Sequence, residues 1–173
     1  ENPDLVTIEV IMKILKNLFY NNYETHGGSK LPVICFHSLF KIILKEIKRY
    51  EGMELKELGF HTTSDRTSKS SGDIEIFDGN NILFESLEIK YGIEIDIHII
   101  NRVIEKILIY NPKRYFILST VGVNHDDYKD INIKLNGLYQ EHGCYVIVNG
   151  IEPTLKYYFR LISDLTLFLN QFT

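Results

Sequence analysis

Apolar residues first recur at helical spacing near the N-terminus, where Leu5, Ile8, Ile11, Leu15, Leu18 and Phe19 share one face. That spacing predicts a helix over 5–23, with Asp4 as its N-cap. His26-Gly27-Gly28-Ser29 reads as a loop ending at Pro32. A second stripe of Phe36, Leu39, Phe40, Ile43, Leu44 and Ile47 predicts a helix over 33–50, stopped by Gly52. Lys41, Lys45, Lys48 and Arg49 populate its other side, and Glu46 is its one acid. The polar run HTTSDRTSKSS over 61–71 carries neither helical nor strand period. Beyond it the period changes to two, with Ile74 and Ile76 alternating with Asp73, Glu75 and Phe77. Asp-Gly-Asn-Asn at 78–81 is a strong turn signal, and a second strand is predicted over 82–91.

Helix and strand patterns alternate from there on. A helix is expected over 94–110, with Asp96 as cap and Asn111-Pro112 as stop. The run Tyr115-Phe116-Ile117-Leu118-Ser119 has the look of a buried strand. A weaker helix over 126–142, a short strand over 144–148 and a last helix over 153–172 complete the chain. Hairpin strands followed by alternating helix and strand imply an α/β fold, a mixed sheet flanked by helices on both faces. At 173 residues the chain is expected to form a single domain over 1–173. It begins with Glu1 and not Met, so it is read as open to further domains beyond either end.

Composition narrows the class only a little. An apolar share of 45% is ordinary for a globular protein, and no apolar run has the length of a membrane span. No secretory signal pattern opens the chain. Cys35 and Cys144 each lie in an apolar stretch without zinc-ligand spacing, so both are expected to be buried free thiols in a cytoplasmic protein. A net charge of -4 does not advertise nucleic-acid binding. It does not exclude a nuclease, because cation-binding carboxylates themselves add negative charge.

The candidate chemistry lies in the hairpin. Glu88 and Lys90 are two residues apart on one strand and so share a face, with Leu87 and Ile89 on the other. Pairing across the turn can bring Asp73 beside Glu88, in a register the sequence leaves open. Two converging carboxylates suit a hard cation such as Mg²⁺. A cation and a nearby ammonium supply the charge stabilisation and activated water that phosphodiester hydrolysis needs. Glu85 points away from Glu88, and Glu75 shares the Asp73 face, where it is a candidate contributor but reads more simply as a strand-surface residue. His61 and His98 have no partner at ligand spacing. The bland alternative is an exposed hairpin with an ordinary Glu–Lys pair.

Gly72-Asp73 and Glu88-Ile89-Lys90, within the order helix, hairpin, helix, strand, resemble the PD-(D/E)XK nuclease superfamily. Gly72 stands where that motif often has Pro, and 58–62 is the one candidate for the strand its αβββαβ core expects before Asp73. The run SGDIEIFDGNNILFESLEIKYGIEI and the later KRYFILST look like type II restriction endonucleases. The resemblance implies a metal-dependent deoxyribonuclease with Asp73, Glu88 and Lys90 catalytic. Asp73 and Glu88 would bind Mg²⁺, which Mn²⁺ can replace, and Glu46 is a candidate additional ligand. It implies double-stranded DNA as partner, a homodimer, and association with a DNA methyltransferase. His61, Ser64, Arg66, Ser68 and Lys69 are then candidate DNA contacts, since hydroxyls and cations bind phosphate oxygens. The alternatives are a non-catalytic DNA- or protein-binding module with this fold, a repair or recombination nuclease, and an unrelated α/β protein.

Overall fold

The computed structural model describes residues 6–21, 28–59 and 70–172. In chain order the elements are α1 (Ile8–Tyr20), α2 (Leu31–Glu46), β1 (Glu54–Leu55), β2 (Ile74–Phe77), β3 (Leu83–Lys90), α3 (Ile97–Tyr110), β4 (Arg114–Ser119), α4 (Tyr128–His142), β5 (Tyr145–Gly150), α5 (Ile151–Phe159) and α6 (Leu165–Phe172). The chain divides into two compact units, Glu1–Glu51 with Ile151–Thr173, and Gly52–Gly150. The expected α/β class with a mixed sheet is what the chain adopts. Among the described residues, no helix is long and apolar enough to cross a membrane.

The first unit is helical. Thr7 caps α1, its Oγ1 accepting the Val10 N–H at 3.3 Å, so the helix starts later than the expected residue 5, and Asp4 lies outside the described residues. α2 ends at Glu46 because Ile47 turns extended, and a 3₁₀ turn, Lys48–Tyr50, takes up what was expected to be its last turn. The expected final helix is two helices. α5 begins two residues before Pro153, which costs no hydrogen bond in a first helical turn. Between α5 and α6 the Glu46 carboxylate accepts the Ser163 N–H at 2.7 Å and its hydroxyl at 2.8 Å. Asp164 then accepts the Thr166 N–H at the head of α6. Phe159 and Phe168 stack edge to face at 4.7 Å, which packs α5 against α6.

The second unit holds the sheet, in the order β1-β2-β3-β4-β5. β1, β2 and β3 run antiparallel, and β3, β4 and β5 run parallel. Among the described residues the short strand before Asp73 is Glu54–Leu55, where Glu54 pairs with Phe77 and Leu55 with Ile76; the expected strand over 58–62 runs into 60–62, which lie outside the described residues. Two residues are too few to show an alternation, which is why the pattern did not reveal β1. α3 starts at Ile97 behind the expected Asp96 cap, whose carboxylate accepts the Ile99 N–H at 2.8 Å. Ile99, Ile100, Val103 and Ile107 of α3 join Ile131 and Leu138 of α4 over Tyr115 and Ile117 of β4. Leu87, Phe116 and Leu118, on the opposite row, are buried as well. Cys35 and Cys144 are free and buried, as expected, and burial pushes the Cys144 thiol up to about 11.

Gly72 has a steric reason to be glycine. A Cβ there would meet the Leu87 carbonyl oxygen and the Ser86 Oγ, each at 2.5 Å. The chain entering β2 therefore lies directly against β3, and only a residue without a side chain fits. Gly72→Ala is expected to destabilise the protein by about 1–3 kcal/mol, as overpacking does. Gly137→Ala, in α4 with nothing within 4 Å of the new Cβ, is expected to stabilise it by about 0.5–1 kcal/mol. Urea unfolding of both variants checks the pair, and equal midpoints would contradict the close approach at Gly72.

Candidate active site

The turn between β2 and β3 is built by Asp78, whose Oδ1 accepts the N–H groups of Asn80 and Ile82, each at 2.9 Å. Asn81 takes the left-handed conformation at φ 60°, which Asn tolerates well. Next to the turn Phe77 pairs with Leu83, but Ile76 pairs with Glu85, Glu75 with Ser86 and Ile74 with Leu87. One residue of β3, Phe84, is thus extra, and the irregularity is a β-bulge. Without it Asp73 would fall opposite Leu87. With it, Ile74 falls opposite Leu87, and Asp73, just before the strand, comes within reach of the Glu88 charge.

Asp73 is tied to β3 twice. Its N–H donates to the Leu87 carbonyl at 2.8 Å, and its Oδ2 accepts the Ile89 N–H at 2.7 Å. Oδ1 takes no hydrogen bond from a described residue, and the side chain is open to solvent. Protein packed behind the carboxyl and the neighbouring Glu88 charge raise the Asp73 pKa above its ordinary value. The Ile89 N–H and the two nearby ammoniums only partly offset this.

Glu88 is buried, at 9% exposure. Its Oε1 receives the Lys90 ammonium at 2.5 Å, and its Oε2 receives the Lys106 ammonium at 2.7 Å. The Tyr115 hydroxyl lies 3.2 Å from Oε2. Burial pushes the Glu88 pKa up, but the Lys106 and Lys90 charges and hydrogen bonds outweigh it and hold the carboxylate below its ordinary range. Burial and the Glu88 charge push the Tyr115 phenol well up, so it remains a proton donor.

Alternation separated Glu88 from Glu85 correctly. Glu85 is fully buried and meets the Arg114 guanidinium at 3.7 Å. Glu75 is not a surface residue, because its carboxylate accepts from Lys56 Nζ at 2.5 Å and from the Ser71 N–H and hydroxyl at 2.7 and 2.9 Å. At 5% exposure it is a buried strut beneath the segment that leads to Asp73. His98 is exposed on α3. Glu46 belongs to the helical unit, where Ser163 engages both its oxygens. His61, Ser64, Arg66, Ser68 and Lys69 lie outside the described residues.

Sequence reading missed Lys106 and Tyr115. Lys106 follows the buried Val103 by three positions and so borders the apolar stripe of α3. Tyr115 pairs with Ser86 across the parallel β3–β4 ladder and so shares its face. Both signals need the packing of α3 and the register of β4.

The donor set suits a hard divalent cation in type. Asp73, just before β2, and Glu88, on β3, offer carboxylate oxygens, and Asp73 Oδ1 takes no hydrogen bond from a described residue. Among the described residues, no group of three or more His, Cys, Asp or Glu side chains is placed to hold a metal. A cation held here would therefore take its remaining ligands from water and carbonyl oxygens. Each Glu88 oxygen accepts one ammonium, so a cation at Glu88 would share an oxygen with an ammonium or displace it.

The lowered Glu88 pKa fixes the sign of a pH effect. A carboxylate held below its unfolded value contributes stability above that unfolded value and loses it as pH falls through the lower, folded one. Lys106→Met removes the largest opposing charge, so the Glu88 midpoint is expected to move up in a carboxyl NMR titration. An unchanged midpoint would contradict the assigned pairing.

Comparison with protein-family models and with curated protein sequences matched nothing.

Proposed function

We propose that the sheet unit is a Mg²⁺-dependent DNA endonuclease site of the PD-(D/E)XK kind, most simply of a type II restriction system. The carrying observation is that the bulged β2–β3 register ends with Asp73 beside β3, its carboxylate on the Ile89 N–H and within reach of the Glu88 charge, with Lys90 two residues on. Supporting it, the element order α2, β1, β2, β3, α3, β4 follows the order expected for that fold. Asp73 and Glu88 would hold the cation, which when bound polarises the scissile phosphate and lowers the pKa of a coordinated water. The Ile89 N–H fixes the Asp73 carboxylate in one orientation. Lys90, half-buried at the end of β3, carries an ammonium that can orient the attacking water or meet the charge growing on the phosphate. Lys106 keeps Glu88 ionised, so the carboxylate is ready as a ligand. Duplex DNA as substrate, a homodimeric form and a companion methyltransferase belong to the same proposal.

A second reading has one observation in its favour. Both Glu88 oxygens are ion-paired, to Lys90 and to Lys106, as in a buried ion cluster whose role is structural. The protein would then be a non-catalytic DNA- or protein-binding module. Failure to take up Mg²⁺ or Mn²⁺ at millimolar concentration would favour that reading.

Incubation with mixed-sequence duplex DNA and Mg²⁺, followed by sequencing of the fragment ends, tests activity and specificity together. A fixed sequence at the ends fits restriction, and structure-dependent ends fit repair. Asp73→Asn, Glu88→Gln and Lys90→Met are each expected to slow cleavage by about 100-fold or more, as loss of transition-state charge stabilisation does. Their circular dichroism is expected to stay that of the parent. Equal cutting by all three folded variants would sink the nuclease reading.

A further inference from the structure

We infer that Tyr115 is a positioning residue that locks the segment carrying Asp73 to Glu88 and thereby sets the cation affinity of the site. The inference rests on the two-carboxylate reading above. It adds a residue from outside the hairpin that acts without touching cation or substrate.

Tyr115 is wholly buried in β4. Its hydroxyl donates to the Ser71 carbonyl at 2.5 Å and lies 3.2 Å from Glu88 Oε2. Ser71 precedes Asp73 by two residues, and the Gly72 between them lies against the Leu87 carbonyl with no room for a Cβ. A shift of Ser71 is therefore passed on to Asp73. Ser71 is gripped on its other polar atoms too, by Glu75 Oε1 at 2.7 and 2.9 Å and by Ser86 Oγ at 2.7 Å. Its carbonyl is the atom through which this network reaches the site, and Tyr115 is the group that reads it. The phenol thus contacts both Glu88 and the backbone leading into Asp73.

A hydroxyl that only satisfied a buried carbonyl would matter to stability alone. One that holds two ligand arms in register matters to affinity, as partners behind metal ligands generally do. Titration calorimetry with MnCl₂ and MgCl₂ on the parent protein and Tyr115→Phe separates the two. The variant is expected to bind about 10–100-fold more weakly, the usual cost of losing such a partner. Its cleavage is expected to recover as the cation concentration is raised, with the saturated rate close to the parent's. A folded Tyr115→Phe with a lower melting temperature and unchanged affinity overturns the inference and leaves the two-carboxylate site standing. A parent protein that takes up neither cation overturns the site itself, and the inference with it. If Tyr115→Phe does not fold, a fluorotyrosine placed at 115 keeps the shape and changes the donor strength. The affinity is then expected to change, and an unchanged value counts against the role.

Discussion

One extra residue in a strand governs the sheet unit. Phe84 bulges between the turn and the regular part of β3, and every pair beyond it is displaced by one. Because side chains alternate, a shift of one exchanges the faces of the whole strand relative to its partner. The bulge is what turns Asp73 towards Glu88 and sets Ile74 against Leu87 in the apolar row. Gly72 guards the same arrangement from the other end, since its lack of a side chain lets the incoming chain press onto β3. The geometry of the candidate site is therefore set at two places, neither of which carries its chemistry.

Burying Glu88 has a cost that its neighbours must offset. A carboxylate removed from water is stable as an anion only with charge partners and hydrogen bonds. Lys90 comes from its own strand, Lys106 from α3 and the Tyr115 hydroxyl from β4, so three elements converge on one side chain. Asp73 shows the opposite balance, open to solvent but pushed up by the protein behind it and by Glu88. The two carboxylates thus have opposed shifts, one buried and compensated and one exposed and strained electrostatically. The same convergence is what favours the second reading, in which the cluster is structural.

Much of this was legible in the residues. The turn at 78–81, the shared face of Glu88 and Lys90, the exclusion of Glu85 and the Asp96 cap all follow from period, turn chemistry and capping, which are local. The misses have a common physical origin in tertiary contact. β1 is two residues long and exists because β2 offers it an edge. The last helix divides where Glu46, over a hundred residues earlier, binds Ser163. Glu75 is buried because Lys56 and Ser71 close over it. Lys106 and Tyr115 reach Glu88 only after α3 and β4 dock beside β3. Alternation fixes which face a side chain takes, but not what comes to cover that face.

Asp73 and Glu88 are proposed to form one cation site. A crystal of the protein soaked in Mn²⁺, measured at a wavelength where manganese scatters anomalously, addresses it directly. An anomalous peak is expected within coordination distance of both carboxylates. No peak there would contradict the shared site.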